Sequence, residues 1–83
     1  MHYAVVAILR RLLNKNRIGA KHTEEKNVFR WIKNLPPHER HDAIYVWERI
    51  IKQEQLVLRC KKTGENHISL NPKKLTEIYQ IIK

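Results

Sequence analysis

Residues 36–70 constrain the fold of this chain most strongly, because a helical pattern there runs directly into two strand-like segments. Proline is tolerated in the first turn of a helix, where its missing N–H would have no partner, so Pro36-Pro37 predicts a helix start. Apolar residues then recur at spacings of three and four, which predicts a helix over residues 37–53 with one buried face. The members of that face are Ala43, Ile44, Val46, Trp47, Ile50 and Ile51.

The two segments that follow, residues 56–60 and 66–70, predict a two-stranded β-ribbon. Gly64 lies in the turn between them, where a positive φ is needed. Side chains alternate between the faces of a strand, so we expect Cys60 on a buried apolar face. That face would carry Leu56, Leu58 and Cys60, and the opposite face Val57, Arg59 and Lys61.

Upstream, the sequence predicts a first helix over residues 3–14 and a short edge strand over residues 18–20. The apolar residues of the first helix cover more than one stripe. Such a helix is either wrapped on all sides by its own domain or in contact with a partner subunit, and the sequence leaves both open.

Two further helices complete the pattern. The second is predicted to begin at Thr23 as N-cap, with Glu24 and Glu25 in its first turn. The last is predicted to open at Asn71-Pro72, with asparagine as the cap and proline at the first position. Their expected inward residues are Val28, Phe29, Ile32 and a partly buried Trp31 in the second helix, and Leu75, Ile78, Tyr79 and Ile82 in the last.

With 83 residues, 42% of them apolar, the chain is expected to form one domain over residues 1–83, mainly α-helical with a small β-hairpin and thus of the α+β class. The longest apolar run, residues 3–9, is too short to span a membrane. Positive charge follows this run at Arg10 and Arg11, whereas in a secretory signal it would precede it. We therefore expect a cytoplasmic protein without a membrane segment.

The net charge of +9 favours a polyanionic partner. Its distribution is uneven: the net charge is +6 over residues 1–34, −1 over residues 35–55 and +4 over residues 56–83. The helix at residues 37–53 is thus the least basic part of the chain. This pattern suits a helix that reads base edges while its neighbours hold phosphates, and it equally suits a helix that meets a protein.

No catalytic or metal-binding motif stands out in the sequence. Cys60 is the only cysteine, which excludes an internal disulfide or a cysteine-based zinc site. His38 and His41 are three residues apart, but zinc needs three or four converging ligands, and the other histidines are scattered. The sequence contains neither a nucleophile elbow nor a phosphate-binding glycine loop. We expect no enzymatic activity, no metal, no cofactor and no small-molecule ligand.

The order of elements is helix, short strand, helix, turn, helix, hairpin and helix, and it covers nearly the whole chain. In this order the sequence resembles the small one-domain winged helix-turn-helix regulators of archaea and of their plasmids and viruses. The resemblance implies sequence-specific binding of double-stranded DNA and regulation of transcription. It places the helix at residues 37–53 in the major groove and the hairpin tip, residues 59–67, on the backbone or in the minor groove.

The resemblance also implies a role for individual residues. Base contacts would come from His38, Arg40, His41, Tyr45 and Arg49, of which Arg40 lies nearest the buried face. Phosphate contacts would come from Lys21, Lys26, Arg30, Lys33, Lys52, Arg59, Lys61 and Lys62.

Partners other than DNA follow from the apolar first and last helices. Together these helices favour a homodimer, with an interface expected at Tyr3, Val6, Leu9, Ile78, Tyr79 and Ile82. The alternative function is a protein-interaction module, in which the near-neutral helix would face another protein. RNA binding ranks lower, because no pair of exposed aromatic residues on a sheet is evident.

Overall fold

The computed structural model describes residues 1–83 and contains four α-helices and a three-stranded antiparallel sheet, which confirms the α+β class. In chain order the elements are α1 Tyr3–Asn14, β1 Thr23–Glu24, α2 Lys26–Lys33, α3 Pro37–Lys52, β2 Val57–Lys62, β3 Glu65–Leu70, a 3-10 turn Pro72–Lys74 and α4 Leu75–Ile82. The predicted start at Pro37 is present. Asn71 is a cap as predicted, with its Oδ1 accepting a hydrogen bond from the Lys73 N–H at 3.0 Å, but it caps the 3-10 turn, and α4 begins only at Leu75.

The predicted hairpin is present and pairs in a single continuous register, from Val57 opposite Leu70 to Lys62 opposite Glu65. Its turn is the dipeptide Thr63-Gly64, with φ of 49° and 82°. Two consecutive positive φ values are typical of the tight turn whose twist matches that of paired strands. The sheet order is β1-β3-β2, so β3 lies in the middle.

The predicted faces of β2 are wrong. Val57 is fully buried, whereas Leu58 is 40% exposed and Cys60 is exposed. Leu56, just before the strand, is also buried, so two consecutive residues enter the core where the backbone turns through Gln55 at φ 55°. A shift of one residue exchanges the two faces of a strand, and for this reason Cys60 lies on the outer side.

The first strand also differs from its prediction. Ile18 makes only an isolated bridge to Leu70, and β1 lies later, at Thr23–Glu24, where it pairs with residues 67–68 of β3. Thr23 is therefore a strand residue rather than a helix cap. The cap position of α2 is Glu25, whose N–H donates to the Asn66 carbonyl at 2.8 Å and so continues the strand pairing to the start of the helix.

Helix α1 is central to the core. Its residues Val5, Ile8 and Leu9 are fully buried, and the helix packs against α2, α3, α4 and β3. This arrangement explains the broad apolar surface of α1 by packing within the chain.

No helix of the protein combines the length and apolar character that crossing a membrane requires.

The burial of α1 and α4 corrects part of the predicted dimer interface. Leu9 and Ile78 have no exposed surface, so neither can contact a second subunit. Tyr3 and Tyr79 are 62% and 54% exposed, and Val6 and Ile82 are half-buried. For these four residues the homodimer stays a prediction.

Candidate nucleic-acid interface

The outer side of α3 is a polar stripe that we call the α3 stripe, formed by His38, His41, Asp42, Tyr45 and Lys52, all of which are exposed. The helix has 16 residues and is thus about 24 Å long. Tyr45 is the most exposed of the large apolar and aromatic residues, at 69%, and its hydroxyl makes no hydrogen bond within the chain. Apart from Lys52, whose Nζ lies 3.5 Å from Glu48 Oε1, the α3 stripe therefore presents free donors and acceptors.

Two predicted base-reading residues are placed differently from the other three. Arg40 is half-buried, and its Nη2 donates to the Leu35 carbonyl at 3.2 Å, which holds it at the turn between α2 and α3. Arg49 lies next to the α3 stripe, but its Nε is 2.8 Å from Glu54 Oε2 in an ion pair. The structure thus brings His38, His41 and Tyr45 together, with Arg49 beside them, and leaves Arg40 apart.

The hairpin tip carries two unpaired cations. Lys61 and Lys62 are exposed, precede the Thr63-Gly64 turn and point to opposite faces of the ribbon. Glu65, which pairs with Lys62 in the strand register, has its carboxylate 2.9 Å from Lys26 Nζ instead. Both hairpin lysines are therefore available to an anion.

Arg59, predicted as a phosphate contact, is partly buried and is held by two carboxylates of the chain. Its Nη2 lies 2.5 Å from Glu25 Oε2 and 2.7 Å from Glu48 Oε2, and its Nη1 donates to Glu48 Oε1 at 3.0 Å. Trp47 Nε1 donates to the same Glu25 oxygen at 2.6 Å. Arg59 therefore joins the start of α2, α3 and β2, and its guanidinium is occupied by partners within the chain.

We call Arg59, Glu25, Glu48 and Trp47 the Arg59 network, and its opposite charges stabilise each other. Hydrogen bonds from Arg59 hold the pKa of Glu48 below its usual range, and those from Glu48 and Glu25 raise the pKa of Arg59. The side chains of Arg59 and Glu25 are only 21% and 11% exposed, so the pair is partly shielded from water. An arginine in such a setting has no free fork for a phosphate.

The other predicted phosphate contacts divide into two groups. Lys21 and Lys33 are exposed and form no ion pair, like the hairpin lysines. In contrast, Lys26 lies within 3.3 Å of Glu24 and 2.9 Å of Glu65, and Lys52 lies 3.5 Å from Glu48. Exposed pairs of this kind are weak, so Lys26 and Lys52 can exchange their carboxylate for another anion.

Arg30, the last of the predicted phosphate contacts, lies away from the hairpin in a cleft between α1 and α2. With it the structure groups Arg11, Lys15 and Arg17, none of which the sequence singled out. One signal was available: the first acidic residue of the chain is Glu24, so the charge of residues 10–21 has no nearby carboxylate in the sequence.

The structure also groups two histidines that the sequence left scattered. His22 Nδ1 and His67 Nδ1 are 2.9 Å apart, and burial together with the charges of Lys62, His67 and Arg17 lowers the pKa of His22. No group of three or more His, Cys, Asp or Glu side chains is placed to hold a metal ion. This pair therefore lacks the third ligand of a zinc site.

Comparison with protein-family models, with curated proteins and with solved structures found no significant match to this chain.

Proposed function

We propose that this protein binds double-stranded DNA sequence-specifically and regulates transcription. In this proposal α3 enters the major groove and the hairpin tip contacts the backbone or the minor groove. The observation that supports it best is the combination of a 16-residue helix with a free polar stripe and an exposed hairpin tip with two unpaired lysines. A helix with its side chains is about 10–12 Å wide, which fits the major groove of about 12 Å.

The order of elements supports the same proposal. Helices α2 and α3 are joined by a turn of three residues, 34–36, and α3 is followed by the hairpin. In the sheet, β1 pairs with β3 on the side away from β2. These features agree with a winged helix-turn-helix, in which the second helix of the pair enters the groove and the wing lies beside it.

Within this proposal, base reading and phosphate binding belong to different residues. His38, His41 and Tyr45 offer donors and acceptors to base edges, and Arg49 would exchange Glu54 for a guanine. The phosphate contacts come from Lys21, Lys33, Lys52, Lys61 and Lys62. The low charge of α3 suits this division, because phosphate contacts position a protein and base contacts specify the sequence.

A protein-interaction module is the second candidate, and one observation favours it. Arg49 and Lys52, two of the three cations of α3, are paired with carboxylates of this chain. An α3 stripe with so little free charge suits a protein partner, for which the exposed ring of Tyr45 would be an anchor.

Salt dependence separates the two candidates. Fluorescence-anisotropy titrations of a random duplex at 50 and 200 mM salt should show an affinity loss of about 500-fold, as expected for about five phosphate contacts. The double variant Lys61→Gln/Lys62→Gln should reduce the slope of log K against log salt by about 2. The control Lys73→Gln/Lys83→Gln removes the same charge outside the proposed interface and should leave the slope nearly unchanged. Absence of binding at 50 mM salt, or equal losses for both double variants, would contradict the proposal.

A further inference from the structure

A strongly basic cleft opens between α1 and α2. Its volume is about 350 Å³. The side chains that line it come from the end of α1, the loop after it, β1 and α2: Arg11, Leu12, Lys15, Arg17, Thr23, Asn27, Val28 and Arg30. Four of these eight residues are cations and none is acidic. The structure thus gathers four positive charges around one concave surface.

These charges have no compensation within the protein. Both acidic residues of the N-terminal region are used elsewhere: Glu24 pairs with Lys26 at 3.3 Å, and Glu25 accepts from Arg59 at 2.5 Å. None of the four cations forms an ion pair or a hydrogen bond through its side chain. Arg11 has its Cζ 5.7 Å from the centroid of the Trp31 ring, a cation–π contact at the edge of the cleft, where Arg11 also borders the adjoining groove that Trp31 lines.

The chemistry of the lining selects the class of ligand. Three of the cations are arginines, whose planar forks match pairs of phosphate oxygens. The cleft also offers the hydroxyl of Thr23 and the amide of Asn27, and it has no carboxylate that would repel an anion or hold a metal ion. A concave surface with charge of one sign concentrates counter-ions.

The size and charge of the cleft narrow the class of ligand further. A volume near the lower end of the range for ligand sites admits a compact ligand rather than the wide surface of a duplex. Four cations around so small a space are best matched by several phosphates linked in one short chain. We infer that this cleft binds a compact polyphosphate, either an inorganic chain or the phosphate end of a nucleotide.

This site is separate from the proposed DNA surface. Arg30 and Asn27 lie on the side of α2 that faces α1, whereas Lys26 and Phe29 border a different groove together with Glu48 and Arg59. The two surfaces therefore flank α2. Polyphosphate binding goes beyond the proposed function and does not depend on it.

Isothermal titration calorimetry of the full chain with tripolyphosphate, at constant ionic strength and with EDTA present, tests the inference. We expect saturable binding to one site per chain and much weaker binding of orthophosphate. Arg17→Gln/Arg30→Gln should weaken tripolyphosphate binding by at least about tenfold for each guanidinium removed. Lys61→Gln/Lys62→Gln, with the same charge change on the hairpin, should alter it less than about twofold.

The outcomes are distinct. Equal weakening by both double variants, or heat that does not saturate, would overturn the inference. So would a cleft variant that lowers duplex affinity in a protein that does not bind tripolyphosphate, because the arginines would then be duplex contacts. ATP binding more tightly than tripolyphosphate would identify a nucleotide as the source, and equal binding would identify an inorganic chain; both support the site. Urea unfolding of each variant verifies that the fold is intact, and the duplex titration of the hairpin variant tests DNA binding separately.

Discussion

The arginines on the two sides of α2 are held in opposite ways. In the Arg59 network, one guanidinium is shared by two carboxylates and lies among α2, α3 and β2. In the cleft between α1 and α2, Arg11, Arg17 and Arg30 face a common space with no carboxylate. Arginine side chains thus stabilise the fold on one side of α2 and are free to bind a ligand on the other side.

This difference shows that the positions of the few acidic residues matter more than the net charge of +9. Seven of the eight carboxylates lie within 4.0 Å of a cationic side chain or a histidine, and the Arg59 network uses two of them. The cations left unpaired include those of the cleft, those of the hairpin tip and the exposed Lys21 and Lys33, together with Lys73 and Lys83 near the end of the chain.

The largest effect is expected from Glu25→Ala. This change leaves Trp47 Nε1 and an Arg59 Nη2 without their common acceptor in a shielded site, which should lower the free energy of unfolding by about 3 kcal/mol. Urea denaturation measures it. Glu77→Ala is the matched control, because Glu77 forms an exposed pair with Lys74 at 3.7 Å and should cost less than about 0.5 kcal/mol. Similar losses for the two variants would mean that the Arg59 network contributes no more than a surface ion pair.

The second effect concerns binding by the α3 stripe. Tyr45→Ala should weaken binding to a site selected from a random duplex pool by about 1–3 kcal/mol, and binding to random duplex hardly at all. Anisotropy titrations on both duplexes measure the difference. Gln80→Ala truncates an exposed side chain of α4 outside the proposed DNA surface and should change neither. If Tyr45→Ala weakened both duplexes equally, Tyr45 would not be a base-reading residue.

A third, smaller effect is pH-dependent. Because the pKa of Glu48 is held below its ordinary value of 4.5, this carboxylate contributes stability above that pH, and the contribution is lost as the pH falls through the lowered pKa. The stability gap between the natural protein and Glu48→Gln should therefore be widest at neutral pH and close below about pH 4.5. Urea denaturation of both proteins from about pH 7 to pH 3 tests this. A gap of constant size would show that Arg59 does not favour the charged form of Glu48.

The smallest effect on stability is expected in the cleft. Arg17→Gln/Arg30→Gln removes no ion pair and reduces repulsion among four cations, so the free energy of unfolding should change by no more than about 0.5 kcal/mol. Urea denaturation of this double variant and of Glu25→Ala under the same conditions compares their free energies of unfolding directly. A loss above about 2 kcal/mol would mean that these arginines are structural, as Arg59 is.

Local patterns predicted much of this fold. The start of α3 at Pro37, the positive φ of Gly64 in the hairpin turn and the Asn71 cap depend on neighbouring residues only, and all are present. The turn itself is shorter than the gap between the predicted strands, residues 61–65. The helical repeat also predicted the exposed positions of α3, and it placed Arg40 nearest the buried face, where the residue is half-buried.

Features set by distant residues could not be predicted. The face of β2 depends on how Leu56 and Val57 enter the core, and the position of β1 depends on its pairing with β3. The same holds for the charges: Arg59 meets Glu25 from 34 residues away, and Arg30 meets Arg11 only because α1 packs on α2. Sequence periodicity carries no information on such contacts between distant residues, so the ion pairs of Arg59 were not predicted and the cleft was missed.

The most direct test of the central proposal is an amide ¹H–¹⁵N chemical-shift titration of the labelled protein with duplex DNA at low salt. If α3 and the hairpin tip form the DNA interface, the largest shifts should occur at residues 38–52 and 61–66, with smaller ones at Lys21 and Lys33. Shifts confined to residues 11–30, or no shifts at saturating duplex, would contradict this account and leave the α3 stripe as a surface for a protein partner.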